Sequence, residues 1–203
     1  MPQIYAFDGI VPVVNPTAFV HDAAVVIGDV IVGPNCYIGP GAILRGDFGR
    51  IRIGKGSNVQ ETCVVHSFPN QDVVLEENSH IGHGAVLHGC HIGENALIGM
   101  NAVVMDKAVI GRDCIVGALS FIKAGAEFAP AQMIVGSPAK VLRPLNENEI
   151  DWKRRGTGVY QTLARIAPEK MTRAVPLSEE EADRRRIVAP EYDPLVVERS
   201  SNS

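Results

Sequence analysis

HIGENALIGMNAVVMDKAVIGRDCIVGALSFIKAG, residues 91–125, carries an aliphatic residue at every sixth position: Ile92, Ile98, Val104, Ile110, Val116 and Ile122. Working back toward the N-terminus, Ile81 and Leu87 hold the same period one residue out of phase. Ile53, Val59 and Val65 precede them, and Val20, Val26, Val32, Ile38 and Leu44 begin the series. Glycine often follows, as at Gly33, Gly39, Gly54, Gly82, Gly93, Gly99, Gly111 and Gly117. Four residues after most of these aliphatics stands a small side chain: Ala24, Cys36, Ala42, Ser57, Cys63, Ala85, Ala96, Ala102, Ala108, Cys114, Ser120 and Ala126. A period of six matches neither an amphipathic helix nor an alternating strand. It fits a triangular coil of three short strands, each with one inward aliphatic and a small residue near the corner. One coil then takes about 18 residues, and coils stack at roughly 4.8 Å.

Composition agrees with such a core. Hydrophobic residues make up 46% of the 203 and aromatics only 5%, so small aliphatic side chains must fill the interior. The net charge of -4 offers no basic footprint for nucleic acid. No apolar run is long enough to span a bilayer, and MPQIYAFDGIVPVV lacks the layout of a secretory signal. A cytoplasmic location is expected. Cys36, Cys63 and Cys114 fall at the small-residue position and read as packing groups. Cys90 falls at the phase slip and has no obvious place in the repeat.

The coil is expected to occupy residues 1–144, a helical segment 145–175, and a polar tail 176–203. Asn146 suits a helix N-cap, with Glu147 and Glu149 in the first turn. Gly156 and Gly158 should interrupt that helix. Val159, Leu163 and Ile166 should pack the following segment on the coil. SEEEADRRR (178–186) permits a short solvated helix with a Glu180–Arg184 pair. The last residues, ERSSNS (198–203), should be disordered.

Five of the six histidines lie between 66 and 91. Arg45, His66 and His88 each follow an inward aliphatic. Their spacings of 21 and 22 equal one coil plus an outward bulge. The three should therefore stack on one corner, with neighbours about 4.8 Å apart, close enough for two imidazoles to share a metal. His83 lies on the preceding face, and one chain should not easily bring it to the same ion. A neighbouring chain in a threefold assembly could. Three nitrogen ligands and an open position are the arrangement of a catalytic zinc site. His80, His91 and His21 read as bystanders.

LRGDFGRI (44–51), NVQETCVVH (58–66) and HIGHGAVLHGC (80–90) resemble the active-site strings of the γ-class carbonic anhydrases. These are homotrimers built on a left-handed parallel β-helix. The left hand comes from this resemblance alone, since the usual crossover rule is right-handed. The resemblance makes His66 and His88 metal ligands from one chain and His83 the ligand from its neighbour. It makes Gln60 the group that orients bound water, Glu61 an acid in the site, and Arg45 and Asp47 a pair joining subunits. Tyr160 would reach in from the C-terminal helix. The metal would be zinc, with iron or cobalt as substitutes.

NSHIGHGAVLHGC (78–90), ALIGMNAVVMD (96–106), IVGSPAK (134–140) and WKRRGT (152–157) resemble more closely the thioesterases of phenylacetate catabolism within that family. Carnitine-linked relatives are nearly as similar. The resemblance implies hydrolysis of CoA thioesters by metal-activated water, with carbon dioxide hydration as the alternative. Only SFPNQDVVLEENSHIG (67–82) separates His66 from His83. The long acidic loop of the founding anhydrases is therefore absent, and Glu76 and Glu77 are the remaining candidates for a proton shuttle. A hexapeptide acyltransferase, which binds CoA and uses a histidine base without metal, is a further alternative, as is a non-catalytic scaffold.

Overall fold

The computed structural model describes residues 2–190 and 192–197. The chain winds into a left-handed β-solenoid whose strands form three flat faces. The first face stacks seven parallel strands: Phe19–Val20, Tyr37–Ile38, Asn58–Val59, His80–Ile81, Leu97–Ile98, Ile115–Val116 and Gln132–Gly136. An antiparallel strand, Ala139–Pro144, closes that face. The second face carries the segments beginning at Val25, Ile43, Val64, Val86, Val103 and Phe121, in parallel register. The third runs through Val32, Ile53, Leu75, Ile92, Ile110 and Phe128.

The sixth-position aliphatics point inward. Val26, Ile38, Leu44, Val59, Val65, Ile81, Leu87, Ile92 and Ile98 are all fully buried. Each such side chain contributes roughly 1.5–3 kcal/mol of burial. The small residues lie beside them for a steric reason. A tapering triangular section has room for one branched aliphatic and one Ala, Ser or Cys per face. Leu75, which the periodicity did not single out, belongs to the inward series. Cys90 also finds its place, as the small residue two positions before Ile92, just as Cys36 precedes Ile38. The phase slip removes one corner residue and leaves the core intact.

At most corners one residue takes a left-handed backbone, immediately before the small residue. Asn35, Asn78, Asn95 and Asn101, with Gly41, Gly56 and Gly84, supply it at low cost. Leu119, at φ 60, does so without such help.

The C-terminal helix spans Glu147–Lys170 without a break. Asn146 caps it in a capping box with Glu149, whose carboxylate also takes two bonds from Arg143. The expected interruption at Gly156 and Gly158 does not occur. Two glycines cost a helix about 1 kcal/mol each, and the cap and the packed face outweigh that. A Cβ at Gly156 would meet the Tyr192 hydroxyl, so a larger residue there would displace the tyrosine side chain. The face against the coil is also not the expected one. Ile150, Lys153, Thr157, Ala164 and Ala167 are buried, whereas Val159, Leu163 and Ile166 are half-buried. Short side chains let the helix lie close to the first face.

Residues 178–186 form turns rather than a helix, and Arg184 pairs with Glu181 instead of Glu180. The segment finds no apolar partner, and i,i+4 pairs alone do not hold a short helix together. The expectation for residues 198–203 lies outside the described residues. Among the described residues no helix is long and apolar enough to cross a membrane.

Candidate functional site

Two clusters gather the polar residues singled out by the sequence, one at the corner after the second face and one at the corner after the first. At the second-face corner, His88 lies opposite His66 in parallel register, their ring centroids 5.3 Å apart. Arg45 is one coil earlier and donates to His66 Nδ1 at 3.3 Å. A guanidinium can only donate, so Nδ1 must accept and the proton sits on Nε2. That proton goes to Asp47 Oδ1 at 3.0 Å, and Asp47 Oδ2 accepts from Arg45 at 2.7 Å. Burial holds His66 neutral by lowering its pKa, against the pull of Asp47. Burial raises the Asp47 pKa, but the bonds from Arg45 and His66 outweigh it and leave the carboxyl below its ordinary range.

His88 is held from the other side. Its Nδ1 lies 2.7 Å from Asp106 Oδ1, so the carboxylate engages one ring nitrogen of His88. No motif in the sequence marks Asp106. It stands 18 residues after His88, one coil on, and adding a coil length to each histidine would have found it. Phe48 and Phe68, carried on the two bulged loops, flank the pair at 5.3 and 5.0 Å.

The first-face corner holds His83, whose Nδ1 lies 2.5 Å from Glu61 Oε2. The other carboxylate oxygen accepts from the Tyr37 hydroxyl at 3.0 Å. Tyr160 reaches this corner from the helix and contacts both the Tyr37 and His80 rings, at 5.4 and 5.3 Å. Burial raises the Tyr160 pKa to about 12, and burial with the Glu61 charge raises that of Tyr37 further. Both phenols therefore stay protonated as donors. Gln60 is buried and bonds to Asn58 and His80.

A cavity of about 380 Å³ opens beside these groups, lined mainly by apolar side chains with Gln60, His80, His83 and Tyr160 as its polar members. Trp152, stacked on Tyr192 at 5.4 Å, forms part of its wall. This apolar lining with a few convergent polar groups suits a small-molecule site.

His83 thus lies at a different corner from His66 and His88, and the single chain does not unite the three. Among the described residues, no three His, Cys, Asp or Glu side chains within the chain are arranged to hold a metal. Two residues read as bystanders are engaged: His80 with Gln60, and His91 with Glu76 at 2.8 Å. Glu76 also accepts from the Glu94 backbone, so it is tied down on the third face, away from both clusters.

The pattern for bacterial transferase hexapeptide repeats (six repeats) matches residues 89–124. The carnitine operon protein CaiE of Salmonella agona (strain SL483) is 51% identical over 183 residues, covering 90% of this chain and 92% of that protein. Among solved structures, a hexapeptide transferase family protein from Anaplasma phagocytophilum shares 37% identity at a TM-score of 0.78, over 80% of this chain and 96% of that one. A Bacillus cereus protein provisionally described as an acetyltransferase shares 34% identity at a TM-score of 0.80, over 81% and 95%. None of these names is that of a carbonic anhydrase or a phenylacetate thioesterase. With half of its residues identical to CaiE along nine-tenths of its length, the chain belongs to the CaiE family of hexapeptide-repeat proteins.

Proposed function

We propose that this protein is a CaiE-like enzyme that acts on the acyl group of a CoA thioester, using a carboxylate-backed histidine to activate the nucleophile. The observation that carries the reading is the His83–Glu61 pair beside the apolar cavity. With Glu61 on Nδ1, His83 is oriented to use Nε2 as a general base. The base would take a proton from an acceptor hydroxyl or amine, whose lone pair attacks the thioester carbonyl. CoA leaves as the thiol, and the acyl group is transferred. Tyr37 holds Glu61 in place through its hydroxyl. The apolar wall would take the acyl chain. The similar solved proteins described as transferases agree with this chemistry.

A second reading is favoured by a separate observation: all three phased histidines are backed by carboxylates, His66 by Asp47, His83 by Glu61 and His88 by Asp106. That is the usual support of metal-bound imidazoles. The nitrogen donors fit zinc, or iron or cobalt in its place. His66 and His88 of one chain would hold the ion with His83 of a neighbour in a homotrimer. His66 would have to release Asp47 or Arg45 to offer a nitrogen. Such an ion supplies Lewis acidity that lowers the pKa of water toward neutrality. The acyl acceptor would then be water and the reaction thioester hydrolysis, with hydration of carbon dioxide as the smaller-substrate version. In that case Gln60 would orient the water and Glu61 would carry protons.

One experiment separates the two. CoA release from acyl- and aryl-CoA thioesters, including carnitine-related acyl groups, is followed with and without amine or alcohol acceptors, and with and without chelator. Acceptor-dependent, chelator-insensitive release supports transfer. Acceptor-independent, chelator-sensitive release supports hydrolysis. No release under any condition rejects both.

A further inference from the structure

His80, half-buried between the first face and the C-terminal helix, is the middle of a hydrogen-bond chain whose direction can be assigned. The chain begins at the Lys153 backbone carbonyl, which can only accept. Thr157 Oγ1 donates to it at 3.3 Å. Having spent its one proton, the hydroxyl must accept from His80 Nδ1, 3.4 Å away. His80 Nδ1 therefore carries the ring proton and Nε2 a lone pair. Gln60 Nε2 lies 2.7 Å from that lone pair and donates to it. The second amide proton goes to Asn58 Oδ1 at 2.9 Å. Both N–H groups of Gln60 are then committed, and Oε1 is what the side chain has left to offer the cavity it lines.

The reverse orientation breaks a link. Turning Oε1 toward His80 would require a proton on Nε2, hence a bare Nδ1. Thr157 would then have to give up the Lys153 carbonyl to donate to it. Two surroundings keep the ring neutral as the chain requires. Burial pushes the His80 pKa down to about 3, and the Lys153 ammonium nearby opposes a second positive charge. Parallel register places His80 directly opposite Asn58, so the Gln60 amide is gripped by two adjacent coils.

We infer that His80 is a positioning residue. Held by Thr157 of the C-terminal helix, it locks the Gln60 amide so that Oε1 faces the cavity as a hydrogen-bond acceptor for the proton of the attacking water or amine that the base does not take. The inference rests on the reading that this cavity is where the nucleophile sits. It also gives the C-terminal helix a part in the site beyond packing.

The test uses the full chain, with Thr157→Val to remove the hydroxyl at nearly constant shape and Thr157→Ser to restore it. Long-range proton–nitrogen correlation spectra report each histidine tautomer without any need for activity. The expected wild-type form of His80 is Nδ1–H. Thr157→Val should release that preference, and kcat for thioester cleavage should fall about ten- to a hundredfold with little change in KM. Thr157→Ser should restore both the tautomer and kcat. An Nε2–H tautomer in the wild type, or Thr157→Val without effect on tautomer and kcat, overturns the proposal. The expected tautomers in a protein with no activity on any thioester would uphold the lock and reject the functional reading on which its purpose rests.

Discussion

His88 sits directly opposite His66 across two parallel strands, and a carboxylate from a different coil grips each ring, Asp106 on one and Asp47 on the other. Stacking fixes where the rings are, Asp106 engages Nδ1 of His88, and Asp47 and Arg45 between them take both nitrogens of His66. Asp106→Asn should leave the fold intact and free the His88 ring. If this corner holds a metal, affinity should fall about 10–100-fold, read by competition with a chelator. An unchanged affinity would remove Asp106 from the site.

His83 is on another corner, so a site needing all three histidines must draw on two chains. Subunits carrying His66→Ala and subunits carrying His83→Ala should each be inactive alone. Random mixing in a threefold assembly leaves about a quarter of the sites with both histidines intact. Activity should return to roughly that fraction after subunit exchange. No recovery, with exchange verified by mass, would count against a site shared between chains, and full activity of His66→Ala alone would favour the His83–Glu61 pair acting by itself.

Two buried bases predict how stability varies with pH. Burial lowers the Lys153 pKa to about 7, below its unfolded value near 10.5. Between those values the unfolded chain binds more protons, so stability rises with pH above about 7. The gain should be clearest up to about pH 9, because the buried Cys36, Cys63 and Cys90 thiols have raised pKa values and reverse the trend beyond it. On the acid side, His80, lowered to about 3, makes stability fall as pH drops below about 6.5. Urea midpoints from pH 4 to 9 check both limbs. Lys153→Met should flatten the rise between 7 and 9.

Leu119 pays for a left-handed corner with an exposed apolar side chain, 72% accessible. The equivalent corner at Asn101 uses the residue type that tolerates this backbone. Leu119→Asn should stabilise the protein by about 1 kcal/mol, measured by equilibrium unfolding. A loss of stability would mean that the leucine side chain is covered in the assembled protein.

The coil was legible because its cause is local and repeats. Each inward aliphatic, from Val26 to Ile122, obeys the same steric rule, so an error at one position is corrected by its neighbours. Even Cys90, unplaced in the sequence, follows the rule once the strands are seen. The stacking of His66 and His88 was legible for the same reason, since it follows from counting coils. The helix was read less well. Gly156 argues locally for a break, but the capping box and the face packed against the coil keep the helix whole. Nothing local marks His80, because its partners, Gln60 and Thr157, lie 20 and 77 residues away, and no spacing rule links the coil to the helix. Sequence periodicity carries the scaffold; the hydrogen bonds that orient side chains within the site depend on contacts it does not encode.

The most direct test of the proposed chemistry is CoA release by Glu61→Gln beside wild type, across the thioester panel. The substitution keeps the shape at Tyr37 and His83 but removes the charge that backs the histidine. Wild type should release CoA from at least one thioester, and Glu61→Gln should lower kcat/KM by about a hundredfold or more while remaining folded. Equal rates for the two proteins, or no release by wild type with either acceptor or added zinc, would contradict a carboxylate-backed histidine acting on an acyl-CoA.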